Sequence, residues 1–99
     1  MYTTVVPTIR HDPEQGLFVA EVGEAAATLA YRRTDEHTVD LQSTFVPHEL
    51  RNQYVGTQLV RHALTWARSS GLRVIPSCWF VRMLMDREPQ WRELIADPK

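Results

Sequence analysis

The residues best suited to chemistry stand at two points of this chain. The first is the segment Val46-Pro47-His48-Glu49-Leu50-Arg51-Asn52-Gln53-Tyr54-Val55-Gly56-Thr57. Here a predicted strand runs into a predicted helix. A helix N-terminus presents unpaired backbone N–H groups and the positive end of the helix dipole, which suit a phosphate. Arg51 adds a guanidinium that can pair with phosphate oxygens. Gly56 would let a ligand approach the first helical turn. Position alone leaves an ordinary strand-to-helix connection open, since every helix has an N-terminus. The second point is Cys78, the single cysteine, between a short strand and a second helix. A thiol at a helix N-terminus is in a place where thiols become reactive. It reads equally as a packed structural cysteine beside Trp79 and Phe80.

Other groups fall short of a constellation. His11, His37, His48 and His62 lack metal-ligand spacing, and one cysteine forms neither a disulfide nor a cysteine-based zinc site, so no metal is expected. His48 lies near the first point, where it reads as a phosphate contact, a base or a solvated loop residue. Glu49 and Glu88 are isolated carboxylates that read as helix-end charges. Trp66, Trp79 and Trp91 read as core or interface aromatics.

These residues need elements to position them. Thr3 to Arg10 reads as an edge strand interrupted by Pro7. The turn Asp12-Pro13-Glu14-Gln15-Gly16 leads into a second strand, Leu17 to Val22. Gly23-Glu24 turns the chain into a third strand, Ala25 to Arg33, and Thr34-Asp35-Glu36 turns it again. The fourth strand is Thr38 to Val46, with Val39, Leu41 and Phe45 on one face at period two and Ser43 in the same phase. In that phase Ser43 is either a hydroxyl satisfied within the sheet or the point where the strand opens toward a site.

The strongest periodic signal follows. Val55, Leu59, Ala63 and Ala67, flanked by Val60 and Leu64, form the apolar stripe of a helix, with Trp66 at its edge. Ser69-Ser70-Gly71 stops it. Leu72 to Ile75 is a short fifth strand ended by Pro76. Strand, helix and strand in this order predict a parallel, right-handed βαβ crossover. Trp79 to Asp86 reads as a helix buried nearly all round. Pro89 breaks it, Gln90 to Ile95 adds a helical turn, and Asp97-Pro98-Lys99 frays. The expected fold class is mixed α+β: an antiparallel meander, one parallel βαβ unit and a capping helix.

Length and charge bound the function. With 99 residues, residues 1–99 suit one domain. A net charge of −1 with scattered arginines predicts no nucleic-acid face and no membrane-binding patch. The lone cysteine and the lack of a long apolar N-terminal run predict a cytoplasmic setting.

The segment from Val46 to Val60 resembles the acyl-coenzyme A loop of the GNAT superfamily, an Arg or Gln, two spacers, a Gly, one spacer, then Gly or Ala. Arg51, Gln53 and Gly56 match it; Asn52 and Tyr54 stand where the family usually carries glycine. Pro76-Ser77-Cys78-Trp79-Phe80-Val81 resembles the Pro-x-Cys-x-aromatic-Val segment of a very short, single-domain subgroup. The N-terminal hairpin and Tyr31-Arg32-Arg33 are similar to it as well. Family members often have His-Thr where this chain has Ser43-Thr44, and His-Pro where it has Glu88-Pro89.

The resemblance implies a GNAT-like fold and acetyl transfer from acetyl-coenzyme A to an amine. It implies a cofactor site made of Phe45, Val46, Arg51, Asn52, Gln53, Tyr54, Val55, Gly56 and Thr57, with Cys78 near the acyl thioester as the catalytic candidate. The acceptor is a small-molecule or peptide amine. So small a chain has little room for a full acceptor pocket, so a peptide or a second copy in a homodimer completes it. The alternative is a non-catalytic binding or interaction module of the same fold, with an impaired coenzyme site and an exposed aromatic surface around Tyr54 and Trp91.

Overall fold

Five strands form one sheet in the order β1-β2-β3-β4-β5 in this computed structural model, which describes residues 4–96. The strands are β1 (Thr8–Asp12), β2 (Leu17–Val22), β3 (Ala25–Asp35), β4 (Thr38–Phe45) and β5 (Arg73–Pro76). Helix α1 (Val55–Ser69) joins β4 to β5, and α2 (Trp79–Arg87) follows β5. Short 3-10 turns span His48–Leu50 and Pro89–Leu94.

The first four strands are an antiparallel meander, and β4 and β5 are parallel through α1. The mixed α+β architecture expected from the sequence is the one observed. Asp12 accepts from Gln15 N–H at 3.3 Å and from its side-chain amide at 2.9 Å, which closes the first turn. Gly16 is indispensable to that turn: its φ is +67°, and a Cβ there would lie 2.5 Å from the carbonyl oxygen of Tyr31.

One face of the sheet carries the core. Phe18, Leu29, Tyr31, Val39, Leu41 and Val74 alternate along the strands and are buried under the α1 stripe and under Val81, Leu84 and Met85 of α2. The α1 stop is a Schellman motif. Gly71 is left-handed at φ +70°, its N–H bonds Arg68 O at 3.2 Å, and Leu72 N–H bonds Ala67 O at 2.8 Å.

Several sequence expectations shift. β1 begins at Thr8 rather than Thr3, which lies outside the described residues, as do Asp97, Pro98 and Lys99. Pro7 precedes the strand instead of interrupting it. The chain before Thr8 leaves the sheet and reaches α1: Val5 N–H bonds Gln53 O at 3.4 Å, and the Gln58 amide donates to Val5 O at 2.5 Å. β5 starts at Arg73 because Leu72 is used in the helix stop, and it includes Pro76 opposite Leu41. Helix α2 is amphipathic, not buried all round: Trp79 is 74% exposed, and Arg82, Asp86 and Arg87 face solvent.

Phe45 does not share the face of Val39 and Leu41. Tyr31 pairs with Leu41 and Ala30 with Ser43, so Gln42 is an extra residue, a β-bulge. The bulge reverses the phase. Thr44 takes the half-buried place, while Ser43 and Phe45 come out exposed.

Half-buried Trp66 closes an aromatic cluster over β1 to β3. His11 stacks on Phe18 with centroids 4.1 Å apart and planes 9° apart, meets Trp66 edge-on at 4.9 Å, and hydrogen-bonds the Tyr31 hydroxyl at 2.5 Å. Burial, then the nearby His62, hold the His11 pKa below the ordinary 6.5, with Asp12 opposing. The folded state therefore binds this proton less readily than the unfolded chain. The neutral ring's contribution to stability is complete above pH 6.5 and is lost as pH falls through the lowered folded value. We expect the thermal midpoint to drop on acidification from about pH 7.5 to about pH 5. In His11→Gln that drop should be shallower. Parallel pH profiles for the two proteins would assign the dependence to other groups.

Candidate functional site

β4 and β5 stay together only over Thr38–Leu41 and Arg73–Pro76. Beyond that point two features part them. Pro76 has no N–H to extend the ladder, and the Gln42 bulge turns β4 away. The last bond across the gap is Cys78 N–H to Leu41 O at 3.0 Å. Ser77 N–H turns back to Ile75 O at 3.0 Å, and the chain enters α2 with Cys78 as its N-cap.

The parted strands open a cleft of about 990 Å³. β4 contributes Gln42, Ser43 and Thr44 to its wall; Ser77 to Phe80 form the opposite wall. The loop before α1 contributes Val46, Leu50, Arg51, Asn52 and Tyr54, and α1 contributes Val55, Gly56 and Thr57. Arg87 reaches it from the end of α2. A shallower depression on the outer face of α2 is lined by Trp79, Arg82, Met83, Asp86 and Arg87.

The α1 end is built by backbone. The first intrahelical bond is Gln58 N–H to Tyr54 O at 3.1 Å. The amides of Val55, Gly56 and Thr57 precede it and have no acceptor within the helix. Val55, Gly56 and Thr57 line the cleft together with Arg51, whose Nε–H is anchored on Val46 O at 3.3 Å. Two residues before the helix are left-handed, Asn52 at φ 65° and Tyr54 at φ 62°. Glycine is the residue that adopts positive φ without a Cβ penalty. Asn is among the few other residues that visit this region readily, whereas a bulky Tyr is an outlier there.

Gly56 has a packing role. It is buried, and a Cβ there would meet Val46 Cγ2 at 3.1 Å and the Phe80 ring at 3.4 Å. It lets the first turn of α1 sit against α2 and the loop.

Seven of the nine expected cofactor residues border the cleft: Val46, Arg51, Asn52, Tyr54, Val55, Gly56 and Thr57. Phe45 does not, because the bulge sends it to the other face, where it is 60% exposed. Gln53 does not either. Its side chain donates to Glu49 O at 3.1 Å and its carbonyl receives Val5 N–H, so it ties the loop down.

Cys78 lines the cleft although it is only 7% exposed. Its Sγ is 3.4 Å from Thr44 Oγ1. Thr44 was visible in the sequence only as the second residue of Ser43-Thr44; the Gln42 bulge and Arg87 carried no signal, because the bulge leaves no trace in period-two patterning and Arg87 is one of many scattered arginines.

Among the described residues no carboxylate and no imidazole borders the cleft. Glu88 bonds Arg61 and the Trp91 indole N–H, and its carboxyl lies below the usual carboxylate range chiefly because of Arg61. Trp91 is buried, so the aromatic surface expected around Tyr54 and Trp91 is not formed; Trp79 is the exposed indole instead. No group of three potential metal ligands occurs among the described residues, and no helix there is long and apolar enough to cross a membrane.

A family model described as GCN5-related N-acetyl-transferase matches residues 17–94. No curated protein sequence matches the chain. Among solved structures, the chain is similar to the NMR solution structure of a GCN5-like protein from Staphylococcus aureus, itself named only as a candidate N-acetyltransferase. The TM-score is 0.73 and the identity 25%, over 95% of this chain and 92% of that one.

The left-handed Tyr54 generates a prediction independent of any ligand. Tyr54→Gly removes a Cβ penalty of roughly 1–2 kcal/mol and adds back part of it as unfolded-state entropy. We expect the variant to be more stable by about 0.5–1 kcal/mol in urea unfolding. A destabilised variant would mean that contacts of the phenol outweigh the backbone strain.

Proposed function

The chain belongs to the GCN5-related N-acetyltransferase family, and from that premise we propose that it transfers an acetyl group from acetyl-coenzyme A to an amine. The observation that carries this reading is the junction of two features. A gap between parallel strands opens directly onto a helix N-terminus with Arg51 beside it.

The donor set of the cleft fits the coenzyme. Arg51 and the amides of Val55, Gly56 and Thr57 suit a pyrophosphate, as charge-assisted and dipole-directed donors. Where β5 has departed, β4 has an unpaired edge from Gln42 to Thr44, which suits the amides of a pantetheine arm in the manner of an added strand. The bound coenzyme supplies an activated acetyl thioester. The chain's part is to hold that arm in line, so that the acyl end meets the inner cleft.

There Cys78 is the catalytic candidate. Its thiol is held between Thr44 and the start of α2, within the cleft lining. In this reading the Cys78 sulfur takes the acetyl as the coenzyme's thioester bond breaks, its proton leaving with the coenzyme thiol, and the acceptor amine then takes the acetyl from Cys78 and returns a proton to its sulfur. The acceptor, a small-molecule or peptide amine, enters from the open side past exposed Trp79, and a second copy of the chain in a homodimer is one way to complete its pocket.

One observation favours a second reading. Tyr54 is a half-exposed phenol on the cleft wall, at a strained position beside the proposed phosphate site. A fold-retaining module that no longer holds the coenzyme would tolerate it.

Calorimetric titration with acetyl-coenzyme A separates the two. We expect saturable binding that Arg51→Gln weakens about tenfold and Tyr54→Gly strengthens. No binding by the wild type leaves the module reading. For Cys78, we expect iodoacetamide to label the native protein and acetyl-coenzyme A to protect it. We also expect Cys78→Ser to lower turnover about a hundredfold without unfolding the protein. A thiol that reacts only after denaturation removes Cys78 from the mechanism.

A further inference from the structure

Four arginines around the helices are held by partners within the fold. Arg61 pairs with Glu88, Arg68 with Glu93, and Arg73 and Arg92 donate to the carbonyls of Ile95 and Asp86. Arg51, which donates to Val46 O, and Arg87 are the two that border the cleft, and no carboxylate borders it with them among the described residues.

Arg87 closes α2, and its side chain donates to the Met83 sulfur at 3.8 Å, a weak acceptor. The adjacent Glu88 feels the charge of Arg87, which helps to lower that carboxyl's pKa, but its hydrogen bonds go elsewhere. That carboxylate receives Arg61 Nε–H at 3.1 and 3.2 Å and the Trp91 indole N–H at 2.8 Å. The cleft therefore holds two cations on separate elements, one before α1 and one at the end of α2. A ligand with a single anionic group would engage the α1 terminus and Arg51 and leave Arg87 idle.

We propose that Arg87 is the second phosphate-binding cation of this cleft and makes the protein select coenzymes that carry a ribose 3′-phosphate. The inference rests on the reading that the cleft takes coenzyme A. That molecule has two separate anionic sites, the pyrophosphate bridge and the 3′-phosphate. Arg51 and the α1 amides answer the first; Arg87 answers the second. The pair is solvent-facing, so its strength is modest and falls with salt.

The test compares acetyl-coenzyme A with acetyl-dephospho-coenzyme A, which lacks the 3′-phosphate, by calorimetry at low ionic strength. We expect the wild type to prefer acetyl-coenzyme A about fivefold. In Arg87→Gln the preference should vanish while affinity for the dephospho form stays unchanged. The ratio of the two affinities is insensitive to any loss of folded protein. Arg82→Gln is the control, since Arg82 lies on the same helix but borders the outer depression and not the cleft; it should keep the preference. Equal binding of the two ligands by the wild type, or a preference retained in Arg87→Gln, overturns the assignment of Arg87 and leaves the coenzyme reading standing. If the wild type binds neither ligand, the coenzyme reading fails and this inference with it.

Discussion

The site depends on one interruption, the point where β4 and β5 stop pairing. A parallel pair is normally kept in register by evenly spaced bonds along its length. Here the ladder is four residues long and ends at Leu41 and Pro76. On one side Pro76 cannot donate; on the other Gln42 is squeezed out of register with β3. Neither feature alone would suffice. A proline at the end of a full-length strand would leave the edge of β4 covered. A bulge beside a continuing β5 would be a local kink. Together they free the β4 edge where the chain starts α2, and the cleft follows from that separation.

The same separation explains why both helix starts face one space. β4 runs through a short loop into α1, and β5 runs through Ser77 into α2. Parallel strands place their C-terminal ends side by side, so the helices that follow begin side by side as well. Gly56 makes that proximity possible, because the Phe80 ring and Val46 occupy the volume a side chain would need. The wall of the cleft is thus a packing consequence of the crossover, with the first turn of α1 on one side and Cys78 on the other.

The loop before α1 holds a strained backbone shape without glycine. Its two left-handed residues are Asn52 and Tyr54. The surrounding bonds hold them there: Gln53 is tied to Glu49 and Val5, Arg51 to Val46, and Gln58 to Tyr54 and Val5. Strain of this kind survives only where neighbouring contacts over-determine the backbone. The contact with Val5 also explains why the N-terminal segment leaves the sheet.

The sequence by itself determined the order of elements, the span of α1 and its stop, and the parallel pairing of β4 with β5. Each rests on a local signal that packing did not override: a four-residue apolar repeat, a glycine at the C-cap, turn residues at fixed offsets. It also placed Arg51, Gly56 and Cys78 near one another, through a resemblance whose motifs flank the crossover. Only the tertiary structure decided the rest. The face of Phe45 depended on a bulge, which is a mismatch between two strands and cannot be read from one of them. The exposure of Trp79 and the burial of Trp91 depended on which side of α2 met the sheet and which residue capped its end. The meeting of Arg87 with the cleft joined residues far apart in the chain, and such contacts arise from the crossover's closure, not from any local pattern.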